Sequence, residues 1–206
     1  MSDIAIKVEN ISKRFIKQNG EEFWALKDVS FEVKKGDTIG LIGENGSGKS
    51  TLLKVLSNVI KPTTGFAYIS GKIASMLDIG TGFHPDLTGK ENIYLSGRLI
   101  GMTDNEISVI YPQIIHFSDI GNFIDEPVKN YSKGMFLRLA FSLILYLDYQ
   151  IILLDEVLGV GDSAFRDKCD REIRKMADSN RTIVFVSHSL HEIKNLSSKC
   201  LLIEKG

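Results

Sequence analysis

The chain has 206 residues, 43% of them hydrophobic, and its 25 basic and 26 acidic side chains leave a formal charge of −1. That is enough apolar material for an ordinary core, which argues against disorder; the charges are mixed along the length with no basic block to track a phosphate backbone, so nucleic acid is not an expected partner. The longest apolar stretch, Leu139 to Leu147, carries Ser142 and is flanked by Arg138 and Asp148, far short of the roughly 20 residues a bilayer crossing needs.

The N-terminus, Met1-Ser2-Asp3-Ile4, has neither the basic nor the apolar region of a secretion signal, and a cytosolic location is expected. Ile4 to Val8 and the alternating Val29, Phe31 and Val33 predict strands of a half-exposed sheet. From Thr38 the pattern becomes a short apolar run, Ile39 to Ile42, then a glycine-rich turn, then a helix from Lys49 to Asn58. Between Thr88 and Leu147 the sequence reads mostly helical, with Thr103-x-x-Glu106 as a capping box and Pro112 either opening a new helix or kinking the existing one. The run Ile151 to Leu154, a helix over Ser163 to Ala177, the strand Thr182 to Val186, a helix from Leu190 and a strand over Cys200 to Ile203 restore strand-helix alternation. Such alternation predicts a parallel sheet with crossover helices, and the helical stretch at 86–147 reads as an insertion into one α/β domain. The end at Gly206 follows that last strand with no closing helix, which reads as a truncated C-terminus. Cys169 and Cys200 have no Cys-x-x-Cys or Cys/His spacing and read as reduced thiols.

Gly43-Glu44-Asn45-Gly46-Ser47-Gly48-Lys49-Ser50 matches the phosphate-binding loop pattern, and it lies between a predicted strand and a predicted helix as that chemistry requires. Glycines let successive N–H groups turn toward phosphate oxygens, the helix N-terminus adds partial positive charge, Lys49 would neutralise the β- and γ-phosphates, and Ser50 would ligate Mg²⁺. Asp155 and Glu156 end the apolar run Ile151 to Leu154, where open α/β sheets bind ligands. Asp155 would hold Mg²⁺ and Glu156 would orient or deprotonate the attacking water, although an adjacent Asp and Glu after a strand are commonly only a solvated turn. His188 follows another strand and is placed to reach a γ-phosphate; His84, His116 and His191 lack such context and read as structural. Asn130-Tyr131-Ser132-Lys133-Gly134-Met135 offers a second helix start that, taken alone, is a helix cap.

The order of these features, from about Ile6 to Gly206, resembles the nucleotide-binding domain of ABC transporters. The resemblance implies a P-loop NTPase core of RecA-like type, with an N-terminal antiparallel β subdomain and an inserted α-helical subdomain. It also implies ATP and Mg²⁺ as cofactors, binding through residues 43–51 (Thr51 closing the loop), and a homodimer in which Ser132 and Gly134 contact the γ-phosphate held by the other subunit. Phe15, after Ser12-Lys13-Arg14, takes the position of the adenine-stacking aromatic, with Trp24 as a substitute. An integral-membrane permease would be the further partner, at the cytoplasmic face of the inner membrane.

Three departures from the commonest family pattern narrow the resemblance. Tyr131-Ser132-Lys133-Gly134-Met135 replaces Leu-Ser-Gly-Gly-Gln, Val157-Leu158-Gly159-Val160-Gly161-Asp162 follows the acidic pair, and Asp78 stands where the family places a glutamine beside the metal. Together with Leu77 to Pro85 and Thr88-Gly89-Lys90-Glu91-Asn92, these resemble the ATPases of O-antigen, capsule and teichoic-acid exporters. The loop from Asp78 to Asn92 is the expected contact with the membrane partner. An exporter of a lipid or drug is the competing reading; ribosomal or chromosomal members of the family carry a second such domain or a long coiled coil, and neither occurs here.

Overall fold

The computed structural model describes residues 3–76, 82–155, 163–187, 190–197 and 199–204. In chain order these form β1 (Ile4–Ile16), β2 (Glu22–Lys34), β3 (Thr38–Ile42), α1 (Lys49–Leu56), β4 (Thr64–Ile69) and β5 (Ile73–Ser75). There follow α2 (Gly89–Leu99), α3 (Asp104–Ser118), two short 3₁₀ turns (Gly121–Asp125 and Val128–Asn130) and α4 (Lys133–Tyr146). The chain closes with β6 (Ile151–Leu154), α5 (Ser163–Ala177), β7 (Thr182–Val186), α6 (Leu190–Leu196) and β8 (Lys199–Leu202). Internal contacts divide it into two units, Met1–Ser75 with Gln150–Glu156 and Ile173–Gly206, and Met76–Tyr149 with Val157–Glu172.

The first unit holds an antiparallel sheet ordered β2-β1-β4 and a parallel sheet ordered β5-β6-β7-β3-β8. The antiparallel strands mix an inward apolar set, with Ile6, Val8 and Ile11 at 2% exposure or less, and outward charges such as Lys7, which pairs with Glu9 and Glu32. The inner strands β6 and β7 are covered on both faces, which is why they read as unbroken apolar runs, whereas edge strand β8 is largely exposed. All four side chains of β6 and all five of β7 are buried. At about 1.5–3 kcal/mol per large aliphatic side chain, this burial is the main stabilisation of the sheet.

The second unit is helical and its starts are locally specified. Thr88 and Thr103 each form a capping box, with Glu91 and Glu106 respectively. Arg98, in the last turn of α2, grips Asp104 in the first turn of α3 through two bonds of 2.7 and 2.8 Å, each charge complementing its helix dipole. α3 runs through Pro112, so that residue opens no new helix; it leaves the carbonyl of Ser108 without its usual N–H partner. Phe117, Phe141 and Phe165 pack as a tilted and edge-on aromatic cluster. Lys168 lies 4.5 Å over Phe117 and donates to the C-terminal carbonyls of His116 and Phe117 at 3.2 and 2.9 Å. Cys169, buried beside it, has its thiol pushed up to about 12 by burial, so it stays protonated and unreactive.

Replacing Thr103 with Ala removes an N-cap and half of a capping box without touching the core. A loss of about 1 kcal/mol, seen as a thermal midpoint lower by roughly 2–4 °C in calorimetry, is the expected result.

Candidate nucleotide-binding site

In the parallel sheet β7 lies between β6 and β3, and all three strands run the same way. Gly43 after β3, Asp155 after β6 and Ser187 after β7 therefore emerge along one edge of the first unit, the place where the order of an open sheet leaves a crevice for ligands. Asp155 is 9% exposed and Ser187 8%. Glu156, His188 and Asp78 lie outside the described residues.

The loop from Gly43 to Gly48 is shaped by close backbone approach. Gly48 adopts φ 108°, and a Cβ there would sit 2.3 Å from the carbonyl oxygen of Ala25 on β2, so no side chain is tolerated. A turn bond from Ser47 N–H to the Glu44 carbonyl (3.1 Å) curls the loop, and Glu44, Asn45 and Gly46 at its crest are exposed. Lys49 is 5% exposed; its ammonium turns back to donate to the carbonyls of Gly43 (2.7 Å) and Glu44 (2.9 Å).

Two features fit this loop to an anionic ligand. α2, α3 and α4 each begin with a side chain that accepts from a first-turn N–H, whereas α1 begins at Gly48 with no side-chain cap. Its first-turn N–H groups thus remain available to an incoming anion. The hydroxyl of Ser47 is buried and, among the described residues, has no hydrogen-bond partner. A buried orphan hydroxyl is costly unless a ligand satisfies it. Ser50 is exposed and Thr51 half-buried on the following turn; Ser50 and Asp155 each carry oxygen atoms of the kind a hard cation such as Mg²⁺ takes.

Phe15 and Phe23 are direct partners across β1 and β2, which puts their rings on one face of the sheet, at 41% and 45% exposure. Trp24 pairs with Arg14, whose guanidinium lies 5.7 Å over its ring, on the opposite face. Trp24 thus does not share the face of Phe15, whereas Phe23 does. Its placement depends on a register shift between Lys13 and Arg14, which pair with Leu26 and Trp24 and leave Ala25 as an extra residue in β2.

In the second unit, Ser132 is the N-cap of α4 and accepts from Met135 N–H at 3.2 Å. Gly134 lies in the first turn, and the nearest described atom to a Cβ built on it is Ser132 Oγ, at an unstrained 3.8 Å.

Known proteins bear on this geometry. The ABC transporter family profile matches residues 26–159. The O-antigen export system ATP-binding protein RfbB of Klebsiella pneumoniae is 46% identical over 185 residues, which cover 90% of this chain and 75% of that protein. The teichoic acids export ATP-binding protein TagH of Listeria innocua is 45% identical over 189 residues, 92% of this chain and 56% of that protein, so the chain spans little more than half of that relative. Among solved structures, a dimeric bacterial ABC transporter cassette superposes with a TM-score of 0.83 at 25% identity, covering 98% of this chain and 95% of the other. A dimeric ATP-binding cassette in a post-hydrolysis state with ADP and Pi gives the same TM-score and coverage at 24% identity.

Ser47→Ala should separate folding from ligand binding. The nucleotide-free protein is expected to be as stable as the parent or slightly more so, since an unsatisfied buried hydroxyl is removed, while ATP affinity falls about 10- to 100-fold for one hydrogen bond to a charged group. Thermal unfolding and calorimetric titration with ATP read the two effects independently.

Proposed function

We propose that this chain, which belongs to the ABC transporter family and is one of its ATPases, powers export of a lipid-linked polysaccharide from the cytoplasmic face of the membrane. The phosphate loop carries the reading: an uncapped helix N-terminus, a buried lysine and an orphan hydroxyl sit at the same sheet edge as Asp155. The substrate class is supported by the relatives, because O-antigen and teichoic acid are both long glycopolymers and their export ATPases share about the same identity with this chain. The partner is then an integral-membrane permease. We treat the chain as one domain with an α-helical insertion at 86–147.

In this reading the backbone of residues 43–48, with Lys49 and Thr51, binds the phosphates. Phe15 stacks on adenine, and Ser50 and Asp155 hold Mg²⁺, with Asp78 beside it. The cation neutralises charge on the phosphate oxygens. Glu156 holds and polarises the attacking water, and His188 faces the γ-phosphate. Ser132 and Gly134 complete the site from a second copy of the chain. Gly134 supports this last assignment, since a helical glycine costs about 1 kcal/mol relative to alanine and nothing described in the fold would exclude a Cβ.

Lys49→Ala should abolish ATP hydrolysis in the purified protein with circular dichroism unchanged; near-parental turnover would remove Lys49 from the phosphate site. Glu156→Gln keeps size and most hydrogen bonding but loses the carboxylate, so hydrolysis should fall about 10²- to 10⁴-fold while ATP still binds. With the γ-phosphate persisting between subunits, that variant should elute as a dimer in Mg-ATP and a monomer without it, measured by light scattering. A monomer in saturating ATP would contradict the composite site.

A further inference from the structure

Two motifs set apart in the sequence, Thr88 to Asn92 and Tyr131 to Met135, are built into one another within the helical unit. The chain before α2 pairs with the chain before α4. Val128 N–H donates to the Leu87 carbonyl at 2.9 Å, Lys129 N–H to that of Pro85 at 2.9 Å, and Gly89 N–H to that of Glu126 at 3.2 Å. Asn92, fully buried, ties the same loop from inside by accepting from His84 N–H at 2.8 Å and donating to the His84, Leu87 and Thr88 carbonyls.

Tyr131 closes this assembly. Its phenol donates to the Phe123 carbonyl at 2.6 Å, and a Cβ on Gly89 would lie only 2.1 Å from the phenolic oxygen. Gly89 has an ordinary negative φ, so it is required not for its own backbone conformation but for the space it leaves, first to the phenol and then to Ile124, whose Cδ1 would lie 2.9 Å from that Cβ. Burial pushes the phenol up to about 12, which keeps it a neutral donor throughout the physiological range. The next residue is Ser132, the N-cap of α4.

We infer that Tyr131 is a positioning residue: its phenol, seated against Gly89 and bonded to Phe123, fixes the direction in which Ser132 and Gly134 leave the loop at residues 84–92. Leucine, the residue of the commonest family pattern at this position, has no hydroxyl for that bond. The inference rests on the reading of Ser132 and Gly134 as phosphate contacts made to a second copy, and it deepens that reading by tying the contact to the loop expected to meet the membrane partner.

A double-mutant cycle on the purified full chain tests it. Gly89→Ala should lower kcat for ATP hydrolysis about tenfold and Tyr131→Phe about threefold, with the Kd for ATP unchanged within about twofold because the phosphate loop is untouched. The double variant should recover part of the way toward the Tyr131→Phe level, since removing the oxygen relieves the closest contact of the new methyl while Ile124 Cδ1 at 2.9 Å and the Ile124 carbonyl oxygen at 3.2 Å remain. Costs that multiply in the double variant, or Gly89→Ala at parental turnover, would overturn the inference. If Gly89→Ala does not fold, Tyr131→Phe decides alone, and parental kcat in that variant overturns it. Ser132→Ala distinguishes the two levels. Unchanged turnover there defeats the composite-site reading and the inference with it, whereas lost turnover without coupling between Gly89 and Tyr131 defeats the inference only.

Discussion

The contact of Gly48 with the backbone of β2 is the constraint on which the first unit's chemistry depends. With no Cβ at Gly48, the loop lies directly against the Ala25 carbonyl, its left-handed turn sends the chain into α1, and the helix starts without a side chain across its N-terminus. The same β1–β2 hairpin carries Phe15 and Phe23 on one face. One piece of antiparallel sheet thus both sets the curvature of the phosphate loop and presents the aromatic surface, so a shift of β2 would displace both functions together. The extra residue at Ala25 lets β2 serve both, because it brings the carbonyl to Gly48 while the strand resumes its pairing at Trp24.

Electrostatics in the loop follow from the burial of Lys49. An ammonium that is 5% exposed needs oxygen partners, and it takes them from the Gly43 and Glu44 carbonyls. On the proposed reading, phosphate would offer the same donor a formally charged acceptor, exchanging neutral acceptors for ionised ones at a group already in place. Ser47 differs because it has no described alternative partner to give up. The loop thus holds one buried donor that is satisfied, Lys49, and one that is not, Ser47.

Much of this was legible in the sequence because its determinants are local. The phosphate loop is a contiguous pattern, the buried strands are contiguous apolar runs, and the Thr103-x-x-Glu106 box lies within four residues. What was missed depends on packing or pairing. β4 is a largely exposed edge strand containing Gly65, and β5 has only three residues, so neither carries a clear period. Phe23 gains its place from a cross-strand register that passes through a bulge, which no spacing rule within β2 reveals. Pro112 lies within α3 because tertiary packing, with Ile107, Ile114 and Phe117 buried on the same helix, outweighs the loss of one helical bond.

Three glycines show how different origins can lie behind the same letter. Gly48 is imposed by left-handed backbone and by β2; Gly89 has permissive backbone and is imposed by the packing of Tyr131 and Ile124 against it. Gly134 is imposed by neither, since its helical conformation would suit alanine better and the space around it is open among the described residues. A glycine that weakens its own helix start and relieves no described contact is consistent with a group that, on the proposed reading, approaches the exposed end of α4 closely. Ser132, exposed beside it and holding α4 by its cap bond to Met135, presents both a hydroxyl and bare backbone in that direction. Because Ser132 already caps the Met135 N–H, a phosphate approaching α4 would meet the hydroxyl and the remaining first-turn N–H groups, a smaller donor set than uncapped α1 offers. On the proposed reading this helix start is what a phosphate held by a second copy would meet, and Tyr131, one residue earlier, would set its aim.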